Sequence, residues 1–146
     1  MSHAGPDRRR RLIGLAHAAA KRIGMDDDAR RAMQARVTGQ PSAAGMSEAE
    51  LVAVCAELMR LGADIHVPAP ETGGPGMATG WQLLAIERLA LEMGWREGLT
   101  DARLIAFVRR TAKVDAVRWL SPDAASKIIS GLQRWHRQRQ RKEART

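Results

Sequence analysis

Residues able to attack, ionise or ligate are few in this chain, and they are scattered. The one cysteine, Cys55, falls on an apolar stripe with Val54 and Leu58, and no basic neighbour in sequence would activate its thiol. His3, His17, His66 and His136 lie far apart, with no cysteine at zinc-ligand spacing. Asp26, Asp27 and Asp28 form a carboxylate triplet. On a helix, consecutive side chains point in different directions, so the triplet reads as a cap and a complement to the helix dipole rather than as a metal site. There is no phosphate loop, no dinucleotide glycine fingerprint and no ordered Ser/His/Asp set. These residues argue against an enzyme, a metal and a resident cofactor.

Cations are abundant by contrast. The net charge is +8, and its distribution is uneven. Arg8, Arg9, Arg10 and Arg11 stand near the start, and Arg134, Arg137, Arg139, Arg141, Lys142 and Arg145 near the end, while the chain between has equal numbers of acids and bases. A neutral body with basic ends suits contact with a polyanion, and it equally suits solvated termini. A second basic group, Arg103, Arg109, Arg110, Lys113 and Arg118, lies on one helical segment and the loop after it. Arg103 and Arg110 are one heptad apart and share a face. These cations are candidate contacts to DNA phosphates. Arg109, close to a helix end, is also explained by the dipole alone. Four tryptophans, Trp81, Trp95, Trp119 and Trp135, could stack on unpaired bases beside arginine. Position favours a core role for Trp135, a place under a loop for Trp119 and exposure for Trp95.

The elements that must position these groups are helical. Apolar residues recur at helical spacing throughout, and Ala, Leu, Arg and Met favour helix. A first helix is predicted from about Arg8 to Ile23, after an irregular start over residues 1–7. A second spans residues 27–37 with Ala29, Met33 and Val37 inward. A third begins at a capping box, Ser47 with Glu50, with Met46 and Leu51 as hydrophobic staple, and carries the stripe Leu51, Val54, Cys55, Leu58 and Leu61. Thr79 with Gln82 offers a second capping box for a helix over residues 80–93, with Leu83, Ile86, Ala90 and Met93 inward. A fifth starts near Thr100 or Asp101. A sixth starts at Ser121, with Pro122 at its first position, and runs through Ala125, Ile128, Ile129, Leu132 and Trp135.

Setting Gly24 against Gly94, with three and then one extra residue in the second half, aligns the two halves and brings Ser47 onto Ser121. The expected fold is therefore all-α: two tandem three-helix units, an internal repeat, joined by a linker rich in proline and glycine. Residues 1–11 would be a basic arm, 12–62 the first unit, 63–79 the linker, 80–136 the second unit and 137–146 a basic extension. A single six-helix bundle is the alternative. The connections within each unit are too long for a helix-turn-helix. No apolar run approaches the roughly 20 residues that cross a bilayer, and the N-terminal segment makes a poor secretion signal. One cysteine allows no internal disulfide, which fits a reducing cytoplasm.

Two segments are specific in combination: ARVTG, ending at Gly39, and VDAVRWLSPDAASKII, from Val114 to Ile129. Through them and their flanks, from Leu12 to Arg137, the chain resembles the GemA regulatory proteins of Mu-like phages and prophages. The resemblance implies a regulator of host gene expression connected with DNA topology and replication, acting in the cytoplasm of the bacterial host. It carries no functional residues with it. The function expected is DNA binding, mainly through phosphates, by Arg8, Arg9, Arg10, Arg11, Arg103, Arg109, Arg110, Lys113, Arg118, Arg137, Arg139, Arg141 and Lys142. The alternative is an adaptor that docks on a host polymerase, topoisomerase or replication protein without touching DNA.

Overall fold

The computed structural model describes residues 4–145, and among them it holds six α-helices and no strand. These are α1 (Ala4–Arg22), α2 (Asp27–Thr38), α3 (Glu48–Arg60), α4 (Gly80–Glu92), α5 (Ala102–Ala112) and α6 (Pro122–Ala144). Short 3-10 turns, Ala43–Gly45, Gly98–Thr100 and Val117–Trp119, lead into α3, α5 and α6. The chain divides into two compact units, Met1–Pro68 and Ala69–Thr146.

Local chemistry sets where the helices start. Asp26, Ser47, Thr79, Asp101 and Ser121 each accept a hydrogen bond from a backbone N–H of the first turn, and such a cap is worth about 1 kcal/mol. Both predicted capping boxes form in full: Ser47 with Glu50 and Thr79 with Gln82 bond reciprocally. Gln82 also donates to the Pro122 carbonyl at 3.0 Å, which ties the start of α4 to the start of α6.

In the first unit α3 packs on both α1 and α2. Its Leu51, Val54, Cys55 and Leu58 are fully buried against Leu12, Ala16, Ala19 and Met33. Each buried leucine contributes about 1.5–3 kcal/mol. In the second unit α6 packs on α4, with Ala125, Ile128 and Leu132 against Leu83, Ile86 and Ala90. The Gly98–Thr100 turn, in contact with both α4 and α5, carries α5 against that core through Leu104 and Val108.

Several expectations need correction. Helix α1 begins at Ala4, not near Arg8, because Pro6 in a first turn removes no helical bond and Asp7 suits the dipole there; residues 1–3 lie outside the described residues. On α2 the buried face is Met33, Gln34 and Thr38, while Ala29 is exposed. Gln34 can be buried because its amide donates to the Pro41 carbonyl and accepts from Arg30, and Thr38 because its hydroxyl donates to the Gln34 carbonyl at 2.8 Å. Leu61, placed at the end of the α3 stripe, is 41% exposed.

The tryptophans also differ from expectation. Trp95, expected at the surface, is 3% exposed. It follows the left-handed Gly94 and donates its N–H to the Ala90 carbonyl, so it is the residue a Schellman cap folds back onto its own helix. Trp119, expected to be covered, is half exposed. In its 3-10 turn, residues three apart share a side, so Val117 and Leu120 take the core and Trp119 points out. Trp135 continues the α6 stripe only in part, at 36% exposed.

The segment expected as a linker is anchored at several points. Pro68 accepts from Arg8 at 2.9 Å, and Ile65 and Pro70 are buried. In the second unit the Ala78 N–H bonds the Leu120 carbonyl at 2.7 Å, and a Cβ at Gly73 would collide with the Arg118 carbonyl oxygen. Cys55 is a core thiol as expected, and burial pushes it up to about 11, well away from a reactive thiolate. Among the described residues no helix is long and apolar enough to cross a membrane, and no cluster of ligating side chains suits a metal.

Candidate nucleic-acid interface

The cations expected at an interface separate by what their side chains touch. Arg8 is buried: it pairs with Glu48 at 3.2 Å and donates to the Pro68 carbonyl. Arg9 donates to the carbonyls of Met46, Ala43 and Ala44. These two hold α1 against the start of α3, and neither hangs free as an arm. Arg10 and Arg11 point to solvent, as the 100° step between consecutive helical residues requires.

In the second unit Arg103 closes on Asp101 at 3.1 Å, and that bond holds the Asp101 carboxyl below its ordinary range. Arg109 pairs with Asp115 at 2.9 Å. Lys113, itself left-handed at φ 61°, donates to the Arg110 carbonyl. Arg118 lies over the Trp119 ring, 5.0 Å from its centre. Arg139 donates to the Met93 carbonyl at 3.0 Å, where the end of α4 exposes unpaired carbonyls. His136 lies 3.8 Å from Glu92. The basic extension is thereby held as helix along α6 to Ala144, rather than fraying after Trp135. Arg110, Arg137, Arg141 and Lys142 are exposed and have no carboxylate partner among the described residues.

Arg110 marks the site that sequence reading missed. Between α5 and α6 lies an open groove of about 650 Å³. Phe107 and Trp135 form its floor, and Arg110, Lys127 and Arg134 its rim. Thr111 and Gln138 add hydrogen-bonding groups. Trp135 is braced by two rings: its centre is 5.4 Å from Trp95, edge to face, and 5.8 Å from Phe107. Such pairs add about 0.5–1.5 kcal/mol each and fix the ring. Gly131 is the condition for the groove, because an added Cβ would come within 2.9 Å of Phe107 Cζ. A glycine inside a helix costs about 1 kcal/mol relative to alanine, so its place in the middle of α6 is the signal that sequence reading passed over. The spacing of Lys127, Arg134 and Arg141, one heptad each, was the other.

The first unit shows what these cations lack. Its second helix ends in left-handed Gly39, as α5 ends in left-handed Lys113, and its third helix is capped by Ser47, as α6 is by Ser121. Measured from these landmarks, Arg36 stands where Arg110 does, Arg60 where Arg134 does and Glu57 where Gly131 does. Glu57 accepts from Arg60 at 2.7 Å and from Arg36 at 2.6 Å, and these bonds, Arg60 first, hold its carboxyl down at about 2. In the first unit the two arginines share one carboxylate. In the second, a glycine leaves the corresponding pair without an acid.

A hollow of about 320 Å³ in the first unit touches His17, Arg30 and Ser42. Of its two cations Arg31 is exposed, and Arg30 is engaged: it lies 2.8 Å from His17 Nε2, 3.3 Å from the Gln34 side-chain oxygen and 3.5 Å from Asp27. Burial, with Arg30 beside it, pushes His17 below its ordinary value, and since a guanidinium can only donate, Nε2 is the acceptor in this contact.

The family model described as bacteriophage Mu GemA protein matches residues 25–138. The chain belongs to the GemA family. The match takes in the whole α5–α6 groove, from Phe107 to Gln138, and stops short of Arg139, Arg141 and Lys142. It also begins after Arg8, Arg9, Arg10 and Arg11, so the GemA-like part of the chain contains the groove and neither basic end in full. Comparison with curated proteins and with solved structures gave no match.

Proposed function

We propose that this GemA-family protein is a phage- or prophage-type regulator that binds DNA mainly through its phosphates, in the cytoplasm of a bacterial host, with no catalysis of its own. The observation that carries this is the set of exposed cations without acidic partners on α5 and α6: Arg110, Lys127, Arg134, Arg137, Arg141 and Lys142. Lys127, Arg134 and Arg141 repeat every seven residues on one face, about 10.5 Å apart along the helix, and α6 carries them as one continuous element. Arg10 and Arg11 are further phosphate contacts. Arg8, Arg9, Arg103 and Arg109 serve the fold first. We take the two units as an internal repeat in which the second copy keeps the binding role.

The test is a salt titration of duplex binding with the full chain. Observed affinity should fall linearly on a log–log plot, with a slope near 0.9 per phosphate contacted. Arg137→Glu with Arg141→Glu should make that slope shallower by about 2. Absence of binding at low salt, or binding indifferent to salt, overturns the proposal.

A second reading has its own observation. Trp81 is 78% exposed and Trp119 half exposed, and surface tryptophans are frequent anchors of protein interfaces. An adaptor docking on a host polymerase, topoisomerase or replication protein would use them. Co-purification of one such protein, surviving nuclease and lost in Trp81→Ser, favours that reading.

A further inference from the structure

We infer that the groove between α5 and α6 takes an unpaired base, so that the protein prefers single-stranded nucleic acid, or a locally opened duplex, to closed duplex. This rests on the phosphate-binding reading above and adds a ligand class to it. The argument starts with what a duplex offers. Its bases are stacked on one another, and it presents phosphates to a cationic surface but no free π-face. A site for duplex phosphates alone therefore has no use for an aromatic floor. This groove has one, made of Phe107 and Trp135.

Three features fit a base rather than another occupant. Trp135 is braced by Trp95 and Phe107 yet remains 36% exposed, so part of a rigid ring is left open for stacking. The charged residues of the lining are all cations, Arg110, Lys127 and Arg134, and no carboxylate lines the groove. Arg110 sits 5.9 Å from the Phe107 ring centre, so a cation is already placed beside the aromatic floor. The volume of about 650 Å³ lies within the roughly 300–1,000 Å³ of small-ligand sites. Past the groove the same helix face continues to the exposed Arg141, which offers a strand a further phosphate contact on that side of the inserted base. An acidic peptide would also match the rim. It offers no flat π-system to the floor, so the aromatic pair favours nucleic acid.

Gly131 makes the inference testable without altering charge. Gly131→Gln places a neutral side chain in the groove and displaces only the end of the Phe107 ring, while glutamine favours helix more than glycine does. The measurement is anisotropy of the full-length protein with four probes: a thymidine oligonucleotide, its abasic counterpart, a duplex of equal length and a poly-glutamate peptide. The expected result is about tenfold tighter binding of the base-bearing strand than of the abasic strand, the worth of about one stacked base. Gly131→Gln should remove that difference, with helical content intact by circular dichroism. Arg134→Gln, which leaves the floor in place, should weaken both strands and keep their ratio. Equal affinity for base-bearing and abasic strands overturns the inference while the phosphate-binding proposal stands. Tighter binding of poly-glutamate than of any oligonucleotide overturns it in favour of an acidic protein segment. No binding of any oligonucleotide at low salt overturns both.

Discussion

Counted from their caps, the two units place a carboxylate and a glycine at the same offset: Glu57 is ten residues beyond Ser47, and Gly131 ten beyond Ser121. In the first, Glu57 joins Arg36 to Arg60, and α2 packs more extensively on α3 than α5 does on α6. In the second, Gly131 brings no acid, Phe107 packs beside it, and an open groove lies between α5 and α6. The arginine pair of the first unit shares one carboxylate, and the arginines beside Gly131 have none among the described residues. Fold alone would not have separated them.

The comparison can be broken at several points, with effects of decreasing size. Trp95 exists only in the second unit, with half-buried Met25 at the corresponding cap of α1. Trp95→Ala should cost about 3–5 kcal/mol and remove the brace behind Trp135, whereas Met25→Ala should cost about 1 kcal/mol. Chemical denaturation of the two variants checks this. Gly131→Glu should convert the cleft into a copy of the first unit. It fills the groove and pairs with Arg110 and Arg134, and affinity for single-stranded DNA should drop about 100-fold, the loss of one stacked base and two phosphate contacts together.

Glu57→Gln is the reverse change. It should free Arg36 and Arg60, raise low-salt DNA affinity a few-fold, and destabilise the fold by about 1 kcal/mol once solvent screening of this pair is allowed for. Its pH dependence follows from the depressed carboxyl. Glu57 titrates near 4.5 when unfolded and at about 2 when folded, so its contribution is complete above pH 4.5 and lost as pH falls toward 2. Thermal melts of the two proteins should differ by a constant amount from neutral pH to about 4.5 and then converge. Lys113→Gly should be smaller and of opposite sign. It relieves the left-handed backbone that Gly39 adopts without strain in the first unit, and should stabilise by about 0.5–1 kcal/mol.

What could be read from sequence was local. The capping boxes at Ser47 and Thr79, the Ser121–Pro122 start and the glycine stops depend on residues within one helical turn, and each stands in the structure. Arg8 was unreadable because its fate is set by Glu48 and Pro68, distant in sequence. The pairing of Arg109 is not legible locally, because Asp115 reaches it only through the left-handed turn at Lys113. Trp95 was legible in principle, since an apolar residue directly after a helix-ending glycine folds back on its helix. The groove was not visible as a groove. Its parts, Phe107, Lys127, Arg134 and Trp135, each had an ordinary explanation as core or as solvated face, and only the packing of α5 on α6 brings them together.

The most direct measurement is the salt slope of single-stranded DNA binding for the natural protein and for Gly131→Glu. Each phosphate contact on a single strand contributes about 0.7 to that slope. Placing one carboxylate between Arg110 and Arg134 removes one net positive charge and should make it shallower by about 0.7 or more. An unchanged slope with unchanged affinity would show that the cleft of the second unit holds no phosphates, and that the contrast between Glu57 and Gly131 has no part in binding.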